Sequence, residues 1–160
     1  MRKNFTQIHL HSSYSLRDST IDIDKLIKLA KKNKIKTLAL TDYLNLFAAI
    51  KFYQKCINNK IKPIIGCQLP MVDKISRKNL GSIILLCQNF SGYKNLIKLV
   101  SEIHVKKKPS ENLGATIDQL KEHNKDILIL SGGRNGILGM NLLASDLNEK
   151  NAPFIIPTIS

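Results

Sequence analysis

Several things are scarce in this 160-residue chain, and each scarcity excludes a class of protein. Cysteine occurs three times, at Cys56, Cys67 and Cys87. An odd number, two of them inside apolar strand-like runs, does not make a disulfide framework and suits buried thiols in a reducing cytoplasm. No apolar run approaches the ~20 residues needed to span a bilayer. Met1-Arg2-Lys3-Asn4 is not followed by a signal-peptide core, so no membrane partner is expected. Glycine and proline number only 8 and 5 against a hydrophobic content of 43%, the balance of a globular chain. There is no short internal repeat and no low-complexity tract.

Negative charge is also scarce: 12 Asp and Glu stand against 25 Lys and Arg, a net charge of +13. Such an excess admits a nucleic-acid partner, because Lys and Arg neutralise phosphate whatever the base sequence. Arginine, however, supplies only 4 of the 25 cations, and the lysines are spread over the whole chain with many Ile and Asn. Lys, Ile and Asn are favoured by AT-rich coding, and specific phosphate or base recognition leans on Arg. The charge is compatible with a nucleic-acid context without establishing one.

What is present is a regular alternation. Phe5–Ser19 opens with an apolar, β-leaning run that carries His9-Leu10-His11. Side chains two apart on a strand share a face, so both imidazoles converge on one point. That is how a strand offers two nitrogens to a metal, and also how a wet strand face displays two polar residues. Ile23, Leu26, Ile27 and Ala30 then mark an amphipathic helix capped by Asp22. A short buried strand, Thr37–Thr41, ends at Asp42. A second helix has Leu46, Ala49, Ile50, Tyr53 and Ile57 on one stripe, and Pro63–Cys67 is the next strand.

Residues 70–81 read as a polar connection, and Ile83–Cys87 as another apolar strand. Ser91 is placed to cap a third helix with the face Tyr93, Leu96, Ile97 and Val100. Lys106–Gly114 is linker-like. A short helix near Ile117–His123, a strand Ile127–Leu130 ending in Ser131-Gly132-Gly133, and a last helical piece over Ile137–Ala144 complete the pattern. His104 and His123, in Lys-rich helical surroundings, read as surface residues. Gly132-Gly133 lacks the Lys-Ser/Thr that follows in a phosphate-cradling loop. Apolar strands alternating with amphipathic helices predict an α/β fold with a helix-covered parallel sheet, whose chemistry gathers at the carboxyl ends of the strands. His9, His11, Asp42, Gln68 and Gly132-Gly133 all stand at such ends.

Six stretches in order carry a resemblance: His9-Leu10-His11-Ser12-Ser13-Tyr14-Ser15-Leu16, Leu40-Thr41-Asp42, Lys51-Phe52-Tyr53, Ile61-Lys62-Pro63-Ile64-Ile65-Gly66, Gly92-Tyr93-Lys94-Asn95-Leu96 and Leu130-Ser131-Gly132-Gly133-Arg134. Together, over roughly Phe5 to Leu143, they resemble the PHP (polymerase and histidinol phosphatase) domain at the N-terminus of bacterial DNA polymerase III alpha subunits, and the Leu130–Arg134 string and the Asn45-Leu46 pair look most like the proteobacterial branch. The resemblance implies the N-terminal portion of a distorted (βα)7-type barrel, with residues 1–143 as the incomplete PHP domain and 144–160 as a divergent tail. Intact members hold a cluster of zinc or manganese ions that activates water for phosphoester hydrolysis.

Carried over by position, His9, His11, Asp18 and Asp42 match the family's ligands. Tyr43 stands where the Thr-Asp-His motif has its histidine. Gln68 replaces a glutamate, Ser82 a histidine, and Gly133 a cysteine or equivalent. Each change removes charge or donor strength, so no tightly bound metal and no catalytic residue is expected. The family's closing Asp-x-His would lie beyond residue 160, as would a polymerase palm, so the chain is expected to be truncated relative to a DNA-directed DNA polymerase. Its barrel edge would then be unpaired and its thermal transition broad.

The resemblance implies DNA replication as context and a cytoplasmic, non-catalytic scaffold. It would dock the proofreading exonuclease subunit and the rest of the polymerase, touching DNA only indirectly. Two alternatives stand beside it: a metal-dependent phosphoesterase or proofreading nuclease using His9, His11, Asp18 and Asp42, and a basic nucleic-acid-binding protein.

Overall fold

The structure is a computed structural model that describes residues 5–16 and 18–147. Its elements are α1 (Ile23–Lys32), β1 (Thr37–Leu40), α2 (Ala49–Asn58), β2 (Lys62–Val72), β3 (Asn79–Cys87), α3 (Phe90–Lys106), α4 (Ile117–His123), β4 (Ile127–Leu130) and α5 (Ile137–Leu147), with a short 3-10 turn at Gly133–Asn135. Among the described residues no helix is long and apolar enough to cross a membrane.

The four strands lie in the order β1-β2-β3-β4, and the sheet is mixed. β1 and β2 are parallel because α2 carries the chain back between them, pairing Thr37 with Lys62 and Leu40 with Ile65. β2 and β3 are antiparallel, from Gly66 opposite Leu86 to Val72 opposite Asn79, and so are β3 and β4. The all-parallel expectation is thereby corrected. Residues 73–78 are too few for a crossover, which takes a dozen or more, so the chain must turn back on itself. Asp73 shapes that hairpin by accepting from the backbone N–H of Ile75 and Ser76 and from the Ser76 hydroxyl. The connection read over 70–81 is therefore mostly strand: Pro70, Met71 and Val72 are buried and continue β2.

Helices cover one face of the sheet with two apolar clusters. Ile23, Ile27, Leu38, Leu40, Phe52 and Cys56 fill the space under α1 and α2. Leu69, Met71, Leu85, Leu96, Leu99 and Ile103 fill that under α3 and α4. On the opposite face Ala39, Ile84 and Leu86 are buried with Ile64 and Leu130 packed against them.

Two helix faces differ from the sequence reading. In α2 the buried residues are Ala49, Phe52 and Cys56, whereas Ile50, Tyr53 and Ile57 are exposed. Both stripes have helical spacing, and periodicity cannot rank them when the polar residues between are few. In α3 the cap is Asn89, whose side chain accepts from Gly92 N–H, and not Ser91; Leu99 and Ile103 are buried where Ile97 is exposed. Asp22 caps α1 as expected, accepting from Lys25 N–H. The loop after α3 is tied to the β2–β3 hairpin by Arg77, which bonds the carbonyl of Asn112 at 3.2 Å and lies 3.4 Å from Glu111.

A histidine pair bridged by one carboxamide

Residues 7–11 lie beside β1, outside the named strands. Gln7 bridges to Leu38, and the carbonyls of Gln7 and Leu10 accept from Ala39 and Thr41 N–H at 3.0 and 2.8 Å. Thr41 clamps the segment further: its hydroxyl accepts from Leu10 N–H at 2.9 Å. Leu10 packs into the cluster under α1 and α2. Strand alternation then turns His9 and His11 together to the other face. Their rings meet edge to face, centroids 5.1 Å apart and planes at 83°.

Both imidazoles point at one atom. The Nε2 atoms of His9 and His11 lie 2.7 and 2.9 Å from Oε1 of Gln68. The Gln68 amide nitrogen donates to Ser82 Oγ at 3.1 Å, and Ser82 donates its hydroxyl to the Asn135 carbonyl at 3.4 Å. With its single proton directed there, Ser82 accepts from Gln68, and the carboxamide oxygen faces the histidines. A carboxamide oxygen only accepts, so in this hydrogen-bonded arrangement both Nε2 atoms donate to it.

Asp42 is turned away from the histidines. It is only 2% exposed, accepting from Ser12 N–H at 2.6 Å, the Ser12 hydroxyl at 2.8 Å and the Ser15 hydroxyl at 2.7 Å. Asp18 lies 3.9 Å from Nδ1 of His11, on the far side of the ring from Gln68. Tyr43 runs beside Gln68, its N–H donating to Ser15 Oγ; burial, and then the Asp18 carboxylate, raise its phenol above the ordinary value. The Gly132-Gly133 turn has positive φ at both residues, +77° and +65°. A Cβ on Gly132 would come within 2.4 Å of the Ser82 carbonyl, whereas one on Gly133 would meet nothing within 4 Å.

Of the positions singled out in the sequence, His9, His11, Gln68 and Ser82 are joined by hydrogen bonds, with Asp18, Tyr43 and the Gly133 turn around them. Asp42 is used to hold the loop. Sequence reasoning missed Ser12 and Ser15, the hydroxyls that consume Asp42; the cue was two short hydroxyl residues immediately after His-x-His. It also misplaced His123, which is half-buried and 2.9 Å from Glu102. Glu102 also receives Lys106 at 2.8 Å and Gln119 at 3.1 Å, and these three donors hold its carboxyl down at about 2. Glu102, Glu122 and His123 form a cluster with ligand atoms within 4.8 Å of one another, the grouping with metal-ligand spacing among the described residues. The cysteines are free, and burial pushes Cys67 and Cys87 up to about 12 and Cys56 to about 11.

The PHP domain family matches residues 7–156. The chain belongs to that family. Its relatives include the DNA polymerase III subunit alpha of Buchnera aphidicola from Schizaphis graminum, 37% identical over 143 residues, which are 88% of this chain and 12% of that protein. The subunit alpha of Chlamydia muridarum is 38% identical over 149 residues, 87% of this chain and 12% of that protein. The PHP chain described here thus spans about an eighth of the length of these curated relatives. Among solved structures, an amidohydrolase from Chromobacterium violaceum aligns over 62% of this chain and 33% of its own, at 20% identity and a TM-score of 0.48.

Proposed function

We propose that this chain is the N-terminal PHP portion of a replicative DNA polymerase III alpha subunit, part of a distorted (βα)7-type barrel, and serves as a non-catalytic scaffold that docks the proofreading exonuclease. The observation that carries this reading is the Gln68 carboxamide between His9 and His11. A family-type zinc or manganese centre needs unprotonated imidazole nitrogens and carboxylates. Here the atom between the two imidazoles is the neutral carboxamide oxygen of Gln68, the next group is the Ser82 hydroxyl, and Asp42 is buried and engaged by three donors from Ser12 and Ser15. The residues present do not fit the metal, so no hydrolytic step is assigned to them.

The neutral Gln68 and Ser82 adjoin the histidines, with Asp18 the nearby carboxylate, which supports a binding role over a hydrolytic one. The test is titration of the exonuclease subunit into the chain by calorimetry, with hydrolysis of p-nitrophenyl phosphate measured alongside. The scaffold reading expects saturable binding and hydrolysis at background. Metal-dependent hydrolysis lost in His9→Ala and Asp18→Ala would favour the phosphoesterase or nuclease. DNA binding tighter than exonuclease binding at physiological salt would favour the nucleic-acid protein.

A further inference from the structure

The outer stripe of α2 faces a groove of about 540 Å³ that the rest of the described chain leaves uncovered. Its floor is apolar sheet, Pro63, Ile65 and Cys87, and its walls are Ile50 and Tyr53 on α2 and Phe90 and Tyr93 on α3. Ile50, Tyr53 and Phe90 are 65%, 51% and 68% exposed. Along α2, Ile50 and Tyr53 line the groove at i and i+3, and the exposed Ile57 continues the same stripe one turn beyond it, the spacing by which one helix receives another.

The charges around it narrow the occupant. α2 contains no acidic residue, and the sole acid of α3, Glu102, is bound by Lys106, Gln119 and His123. Lys94 sits 4.8 Å over the Phe90 ring at the groove's rim, and Lys98 follows one turn later. Neither has a carboxylate within ion-pair distance among the described residues, although Lys51 and Lys55, on α2, both reach Asp24. A second copy of the chain would set these cationic walls against each other under a net charge of +13 each. Nucleic acid would find an apolar floor and no arginine on either helix.

We propose that the α2–α3 groove docks an amphipathic helix of a partner protein, its apolar anchors on the groove floor and its flanking carboxylates on Lys94 and Lys98. This deepens the docking reading above and rests on it for the existence of a partner. The test pans the 160-residue chain against a phage-displayed random peptide library, and the enriched peptides are measured by fluorescence anisotropy. The expected peptides are acidic, with apolar residues at helical spacing. Tyr53→Ala, Phe90→Ala and the pair Lys94→Glu with Lys98→Glu should each weaken them at least about tenfold, while Ile75→Ala, at 92% exposed on the β2–β3 turn, leaves binding unchanged. Because these side chains are exposed, circular dichroism of the variants should match the parent.

The proposal is overturned if no peptide is enriched, if enriched peptides are neutral or basic, or if their binding survives Tyr53→Ala. It is equally overturned if labelled oligo(dT) binds more tightly than any of them at physiological salt, or if sedimentation shows a dimer that Ile50→Glu dissolves. An exonuclease that binds the Tyr53→Ala chain undiminished removes this groove and leaves the scaffold reading standing. Groove binding of acidic peptides without exonuclease binding removes the exonuclease and leaves the groove.

Discussion

Ser12 is bound twice by the carboxylate of Asp42: its backbone N–H reaches Oδ1 at 2.6 Å and its hydroxyl reaches Oδ2 at 2.8 Å. With Ser15 on Oδ1 as well, the loop after the histidines is pinned to the end of β1 by one buried group. Hydrogen bonds to a charged acceptor contribute about 1.5–3 kcal/mol each, and orphaned buried donors add to the loss. Asp42→Ala should therefore destabilise the chain by about 3 kcal/mol or more in urea unfolding, and Asp18→Ala, whose carboxylate is half-exposed, by less than about 0.5. Equal effects would show that Asp42 has no structural role.

The two stripes of α2 make opposite forecasts. Phe52 is fully buried, so Phe52→Ala should cost about 3–5 kcal/mol. Tyr53→Ala, one residue on, should change stability by no more than about 0.5 kcal/mol. Chemical denaturation of the pair checks this, and a large loss at Tyr53 would mean that its face is covered.

Element types were legible in the sequence where the apolar period was unambiguous: α4 and β4 fall on the residues that the pattern marks, and the His9–Leu10–His11 alternation gives the convergence observed. The pattern failed where two readings share one period. In α2, Ile50–Tyr53–Ile57 and Ala49–Phe52–Cys56 are both helical stripes, and only the position of the sheet decides between them. The antiparallel β2–β3 pair was hidden because Pro70 and the polar run that begins at Asp73 read as one connection, although Pro70 is buried. At the site, position matching identified His9, His11 and Gln68, but not where each would point. That Asp42 belongs to the serines, and Glu102 to His123, depends on side chains 27 and 21 residues apart meeting in space.

Acid should expose the Glu102 network. Lys106, His123 and Gln119 hold the carboxyl at about 2 against an ordinary 4.5. A depressed folded-state value adds stability that is fully present above pH 4.5 and is lost as pH falls toward about 2. Glu102→Gln should therefore show a shallower loss of stability between those pH values than the parent chain, measured by urea unfolding at each pH. Parallel curves would mean that the network contributes nothing there.

The central claim, that the Gln68 carboxamide and not a metal ion joins His9 and His11, is tested most directly by elemental analysis of the dialysed chain. The hydrogen-bonded arrangement predicts less than one tightly held divalent ion per chain. Two or more zinc or manganese ions per chain would contradict it.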